Sequence, residues 1–299
     1  MTIGVTSFSV LCYRLYFAPK GAIGRLVRRW PWAQRPVNLF KRVVRRYLLP
    51  ERRVWLRVQK GLTQGMWMRL GLPEGARYWH GEHDLAAERA LQTGVYPGAV
   101  VYDIGAHLGY FSLGLARLVG AGGRVVAFDG DPDNVKCLRE NAVRNGLGDH
   151  LQVVHAAVWS NTPSGGISFR RGIEPRAQGG VEADACRPVL ADGELIKVPV
   201  ITLDDFVTRG GPLPDLIKID VEGGEGEVLR GAARLFANQR PLVVAEVHHI
   251  HAAEQIGQWI EECRYCAQWN VSSNEMYPRQ VFAWPAEYDG RAWMQRFEK

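Results

Sequence analysis

The stretch "VVYDIGAHLGYFSLGLARL", residues 100–118, constrains the fold more than any other part of the chain. A β-branched run ends at an acid, passes through a turn holding two glycines, and continues as apolar residues at helical spacing. A strand and helix joined this way need further strands alongside, and the chain supplies them. The patterns predict strands at 99–103, 124–128, 151–155, 214–220, 241–247, 264–270 and 279–284, with helices at 85–91, 110–118, 132–145, 224–236 and 252–262. Alternation with short links implies an α/β fold, a mostly parallel seven-stranded sheet with helices on both faces. Two short runs, 52–61 and 65–70, predict a hairpin ahead of it. Residues 160–196 break the rhythm with Gly, Pro, Ser and charge. A segment so long either hides a strand pair or covers a site, and both can hold together.

Charge divides the chain. Residues 1–60 carry 14 Lys/Arg and one acid, Glu51, so the net +6 leaves −7 for residues 61–299. A basic helical extension over 1–60 and one main domain over 61–299 are expected, with 160–196 as a substrate cover. The extension interleaves Trp30, Trp32, Phe40, Val43, Val44, Tyr47 and Leu48 with its cations. That pattern suits an anionic membrane surface, a nucleic-acid backbone, or a helical cap docked on the domain. Arg14 and Lys20 interrupt its longest apolar run, which argues against a membrane span and a secretory leader. Five cysteines, an odd number without framework spacing, fit a reducing compartment, and the lone Cys263/Cys266 pair is not expected to bind zinc. A cytoplasmic protein, with peripheral membrane contact through the extension, is the resulting expectation.

In open α/β sheets ligands lie beyond the carboxyl ends of strands, where strand order reverses, and "DIGAHLG" stands at such an end. Gly105 and Gly109 would let a ligand approach the backbone, with Ala106 between them and a helix N-terminus behind. The spacing D-x-G-x-x-x-G differs from the dinucleotide fingerprint. Asp103 would repel a pyrophosphate but could accept from an ammonium group. Asp129 ends the next strand, where a carboxylate can accept from ribose hydroxyls. An amino group, a ribose and no phosphate together describe S-adenosylmethionine.

With "VVAFDGDP", "VPVITLDDF", "PDLIKIDVEGGEGEVLRGA" and "VVAEVHH" added, the sequence resembles the FkbM-type S-adenosylmethionine-dependent methyltransferases over about residues 54–284. "LIKIDVEGGE" with "TLDDF" upstream is the specific part, since the glycine turn is common to most class I methyltransferases. Asp129 stands where Glu is commoner, Gly130 precedes an acid where Pro often follows directly, and His107 takes a position that often holds Asn. The resemblance implies a class I Rossmann-like fold. It also implies methyl transfer to a hydroxyl of a small molecule, polyketide-like or sugar-containing, and no DNA partner.

An oxygen acceptor must lose a proton, and the acids of the next two strand ends are placed to take it. Strand alternation puts Asp220 and Glu222 on one face, and Glu246 and His248 likewise, so the two pairs could converge on one cleft. His248 is the preferred general base, because imidazole titrates near neutrality. Asp220 or Glu246 would assist, and Glu222 would bind substrate or cap the next helix. A Mg²⁺ or Mn²⁺ ion held by Asp220, Glu222, Glu246 and His248 is the less favoured alternative to metal-free acid–base chemistry. Lys218 is expected to face a helix layer and take no part. RNA modification guided by the basic extension, and a scaffold without turnover, are the rival functions.

Overall fold

A computed structural model describes residues 53–71, 75–170, 180–181, 195–270 and 277–289. Nearly all of the basic extension therefore lies outside the described residues, and so does its expected contact with a membrane. Residues 53–60, grouped above with the extension, begin the domain: β1 (Val54–Arg57) pairs antiparallel with β2 (Trp67–Leu70). Leu56 and Val58 are buried in the same apolar cluster as the helix after the glycine turn.

The main sheet has seven strands: β3 (Val100–Ile104), β4 (Arg124–Asp129), β5 (Leu151–His155), β11 (Leu216–Ile219), β12 (Leu242–Glu246), β13 (Tyr265–Asn270) and β14 (Gln280–Pro285). Their order is β13-β14-β12-β11-β3-β4-β5, with β14 antiparallel to both neighbours and the other pairs parallel. From β3 the chain steps outward to β4 and β5, then returns to the other side as β11. The order thus reverses between β3 and β11, and the carboxyl ends of those two strands open a crevice.

Alternation along each strand splits the core. Val101, Leu216 and Val244 face one side with the hairpin, α1 (Ala76–His80), α2 (Leu85–Gly94), α3 (Tyr110–Val119) and α4 (Pro132–Arg144). Tyr102, Ile217, Ile219 and Val243 face the other side. There they meet α5 (Leu203–Thr208), α6 (Glu225–Arg230), α7 (Ala233–Asn238) and α8 (Ile250–Glu262). The helix expected over 224–236 is two short helices, because the chain turns at Gly231 and Ala232; a side chain at Gly231 would meet the Trp159 carbonyl at 2.1 Å.

The hairpin's free edge is satisfied by helix side chains. Asn145 accepts from the Trp67 amide and donates to its carbonyl, and Asn141 accepts from the Arg69 amide. Arg144 lies between the rings of Trp55 and Trp67, 5.2 Å from each.

Of the interrupting segment, the described part is β-structure. β7 (Ile167–Arg170) pairs antiparallel with β8 (Gly180–Val181) and β9 (Leu195–Val198), while β6 (Ala157–Val158) pairs in parallel with β10 (Val200–Ile201). The strand pair expected there is present. The Phe169 ring reaches within 3.6 Å of where a side chain on Gly130 would begin, beside the carboxyl end of β4.

Gly105 has φ +79°, and a Cβ on it would stand 1.7 Å from the Asp220 carbonyl oxygen. Gly105→Ala is therefore expected to cost on the order of 3 kcal/mol, from left-handed strain plus a forced parting of β3 and β11. Gly146→Ala, with φ +69° and open space around it, should cost about 1–2 kcal/mol. Urea unfolding of both variants checks this, and equal losses would show that the close approach to Asp220 does not matter.

Candidate active site

The amides of the glycine turn are largely engaged by the protein itself. Gly105 and Ala106 both donate to the Phe128 carbonyl at 3.0 Å, His107 donates to Asp129 Oδ2 at 2.8 Å, and Gly109 to the Ala106 carbonyl. The glycines also admit close protein neighbours. Gly105 admits the end of β11, and a Cβ on Gly109 would lie 2.0 Å from Leu138 Cδ1 of α4. Asp103 is likewise enclosed, with 0% exposure. The ammonium its carboxylate meets is that of Lys218, 3.2 Å away, and its second oxygen accepts from Ser112.

Asp129 ends β4, buried. Its Oδ1 accepts from the Asp131 amide at 2.8 Å and from Asn134 at 3.3 Å, and its Oδ2 takes the His107 amide. Burial outweighs these donors and pushes its carboxyl up to about 7. Beside it His107, at φ +51°, holds Tyr78 Oη at 3.2 Å through Nδ1, while its Nε2 is buried without a hydrogen-bond partner. Tyr78 lies against this ring at 5.9 Å between centroids, and His83, Tyr110 and Phe111 pack behind Tyr78 in a chain of ring contacts at 4.6 to 5.6 Å. Burial holds His107 down at about 4 and His83 at about 3, so both rings are neutral at pH 7. Sequence reading missed this wall, because nothing in "GARYWHGEHD" marks it as facing the glycine turn.

Lys218 corrects a second expectation. It does lie on the helix side of the sheet, its Nζ 4.9 Å from the Phe111 ring centre. That position also puts it opposite Asp103 in the β11–β3 register. The ammonium stands between Asp103 and Asp220 Oδ2, at 3.2 and 3.3 Å. Burial opposes the charge, but the two carboxylates win and raise the Lys218 pKa, while Lys218 in turn lowers that of Asp220.

The strand-end acids converge as the sequence proposed, around His248. From Nε2, Glu222 lies at 3.3 Å, Asp220 at 3.6 Å and Glu246 at 3.8 Å. Glu222 arrives by a left-handed turn, φ +57°, since β11 ends at Ile219 and strand alternation no longer applies. Glu225, fully buried and absent from the expected set, accepts from the Gly223 amide at 2.9 Å and from His248 Nδ1 at 2.7 Å. Burial would lower the His248 pKa, but the Glu225 hydrogen bond and the surrounding carboxylates raise it to about 10. An imidazole so placed favours its protonated form, with four carboxylates around it. Burial and then the Asp220 charge lift Glu246 to about 7. His249 caps α8 by accepting from the Ala252 amide, and its other ring nitrogen meets the Gly223 carbonyl at 3.2 Å.

The Methyltransferase FkbM domain family matches residues 103–266, which contain the glycine turn, Asp129 and every strand-end acid. The chain belongs to the FkbM methyltransferase family. It is 34% identical over 216 residues to a 31-O-demethyl-FK506 methyltransferase of Streptomyces tacrolimicus, spanning 62% of this chain and 83% of that protein. It is 30% identical over 169 residues, 56% of this chain and 63% of the relative, to the hexuronic acid methyltransferase of Haloferax volcanii. A solved FkbM methyltransferase from Methylobacillus flagellatus superposes with TM-score 0.46 at 17% identity, covering 64% of this chain and 44% of the other. The class I methyltransferase fold is carried by the strand order described above.

The FkbM family's donor is S-adenosylmethionine, and the crevice fits it. Asp129 ends β4 with a carboxylate, the orphaned His107 Nε2 lies on the adjacent turn, and the acids beyond β11 suit a cationic sulfonium. The same acids would oppose a phosphate. Among the described residues no helix is long and apolar enough to cross a membrane.

Lys218→Met should cost about 3–5 kcal/mol in denaturant unfolding, since it strands two buried carboxylates, and adding Asp103→Asn should recover part of that loss. Asp129 gives a pH signature. Its folded pKa of about 7 lies above the unfolded value of about 3.9, so its contribution favours folding below pH 4 and fades as pH rises through 7. Relative to Asp129→Asn, the ligand-free protein should lose stability between pH 4 and 7; a flat difference would contradict the burial argument.

Proposed function

We propose that this FkbM methyltransferase moves the methyl group of S-adenosylmethionine to a hydroxyl oxygen of a small acceptor, polyketide-like or sugar-containing. The observation that carries this reading is the convergence of acids from β11 and β12 at the switch point, next to Asp129 and the glycine turn. The relatives named for a demethylated polyketide and for a hexuronic acid support the acceptor class. When bound, the donor supplies an electrophilic methyl carbon. Asp129 accepts from the ribose hydroxyls. Asp220, its other oxygen fixed by Lys218, and Glu222 line the approach of the acceptor. Glu246 takes the acceptor hydroxyl's proton, and the oxygen's lone pair is left aligned for an in-line displacement. The Phe169 strand, packed near Gly130, limits water on the donor side.

The test is transfer of labelled methyl from S-adenosylmethionine to a panel of hydroxylated polyketides and glycosides, with product linkage determined. A base-stable methyl ether is expected. Glu246→Gln should lower kcat by about 10²–10⁴-fold while leaving donor affinity near wild type. Label found only on nitrogen or on RNA would overturn the acceptor assignment.

A further inference from the structure

We propose that the carboxyl ends of β11 and β12 form a site for a hard divalent cation of the Mg²⁺ or Mn²⁺ class. Its ligands are Asp220, Glu246 and the Nε2 of His248, with Glu225 as the positioning residue behind the imidazole. One donor atom from each of the three ligands lies within 4.8 Å of the others. From Nε2 the distances are 3.6 Å to Asp220 Oδ1 and 3.8 Å to Glu246 Oε1. An octahedral ion with bonds of about 2.1 Å separates its ligands by about 3.0 Å when adjacent and about 4.2 Å when opposite. The observed spacings fall between these limits.

Each donor is already aimed. Lys218 holds Asp220 by Oδ2 and leaves Oδ1 turned to the imidazole. Glu225 holds Nδ1 at 2.7 Å, which fixes the ring so that Nε2 faces the carboxylates. A carboxylate on the distal nitrogen of an imidazole is the arrangement that orients metal-ligating histidines and raises their basicity. Nε2 can then take a metal ion in place of its proton.

Glu225 also points to a missing cation. It is 0% exposed, and its Oε2 is buried without a hydrogen-bond partner. Asp220, Glu222, Glu225 and Glu246 thus stand around one imidazole, with the Lys218 ammonium held by Asp220 at their side. A carboxylate enclosed behind an imidazole is costly unless a further positive charge stands in front of it. The ligand side chains keep 13 to 26% exposure, so an ion can enter from solvent. Oxygen donors with one imidazole favour Mg²⁺ or Mn²⁺ over zinc. Remaining coordination positions would go to water or to acceptor oxygens, whose protons a bound cation makes easier to remove. The proposal departs from the metal-free preference drawn from the sequence because of Glu225, which was not in the expected set.

This site lies in the crevice of the methyl-transfer reading and rests on it for its role, but binding can be measured apart from transfer. Chelator-treated full-length protein at pH 8, without donor, is titrated with Mn²⁺ and free ion followed by electron paramagnetic resonance. One ion bound per chain, displaced by Mg²⁺, is expected. Asp220→Asn should abolish it, and Glu225→Gln should weaken it by about 10–100-fold. Glu254→Gln, at an exposed acid of α8 outside the cluster, should leave it unchanged. Circular dichroism confirms that each variant is folded. No stoichiometric ion on folded wild type, or binding indifferent to Asp220→Asn and Glu225→Gln, overturns the proposal. Donor titration on the same samples separates the two readings: donor bound with no Mn²⁺ site removes the metal and leaves the methyltransferase intact.

Discussion

A single buried ammonium ties the two halves of the active site together. Lys218 Nζ stands between Asp103, under the turn after β3, and Asp220, at the end of β11. Both carboxylates would be costly to bury alone, and the register of the parallel pair leaves the lysine as their shared counter-charge. Because Asp103 also holds Ser112 of α3, the glycine turn, α3 and the acids at the end of β11 are fixed by one charge network. The close contact of Gly105 with the Asp220 carbonyl locks the same two strand ends from the backbone side.

The glycines therefore serve the protein before they serve a ligand. They let the turn press against β11 and α4, and the turn's amides then reach Phe128 and Asp129. Asp129 is held in place by these donors, and its raised pKa reflects the burial of its carboxylate. On the acceptor side, left-handed backbone at Glu222 and Gly223 brings a third acid to His248. Local strain of that kind is sustained only where surrounding contacts impose it.

The sheet was legible because β-branched runs and helical stripes alternate with little noise from residue 99 onward, and the strand-end acids at 103, 129, 220 and 246 fell where those runs stop. What could not be read depends on distance across the sheet. Lys218 looked like a packing residue, and only the pairing with β3 reveals Asp103 opposite it. Glu225 lay in plain view in "DVEGGEGE", yet its partner is on the next strand, 23 residues on. The surroundings of His248 were hidden for the same reason, since its four carboxylates come from two strand ends and a helix start. The Tyr78, His83 and His107 wall joins a short helix to the turn through ring contacts that no periodicity announces. The helix break at Gly231 follows from the Trp159 backbone crossing close by, a tertiary contact that overrides a continuous helical pattern.

Calorimetric titration of the folded full-length chain with S-adenosylmethionine, with NAD as the comparison ligand and Asp129→Ala as the control, tests the donor site most directly. One donor molecule bound per chain, with binding lost in Asp129→Ala and absent for NAD, is the expected result. A folded protein that binds NAD instead, or binds S-adenosylmethionine equally well without the Asp129 carboxylate, would contradict the assignment of this crevice.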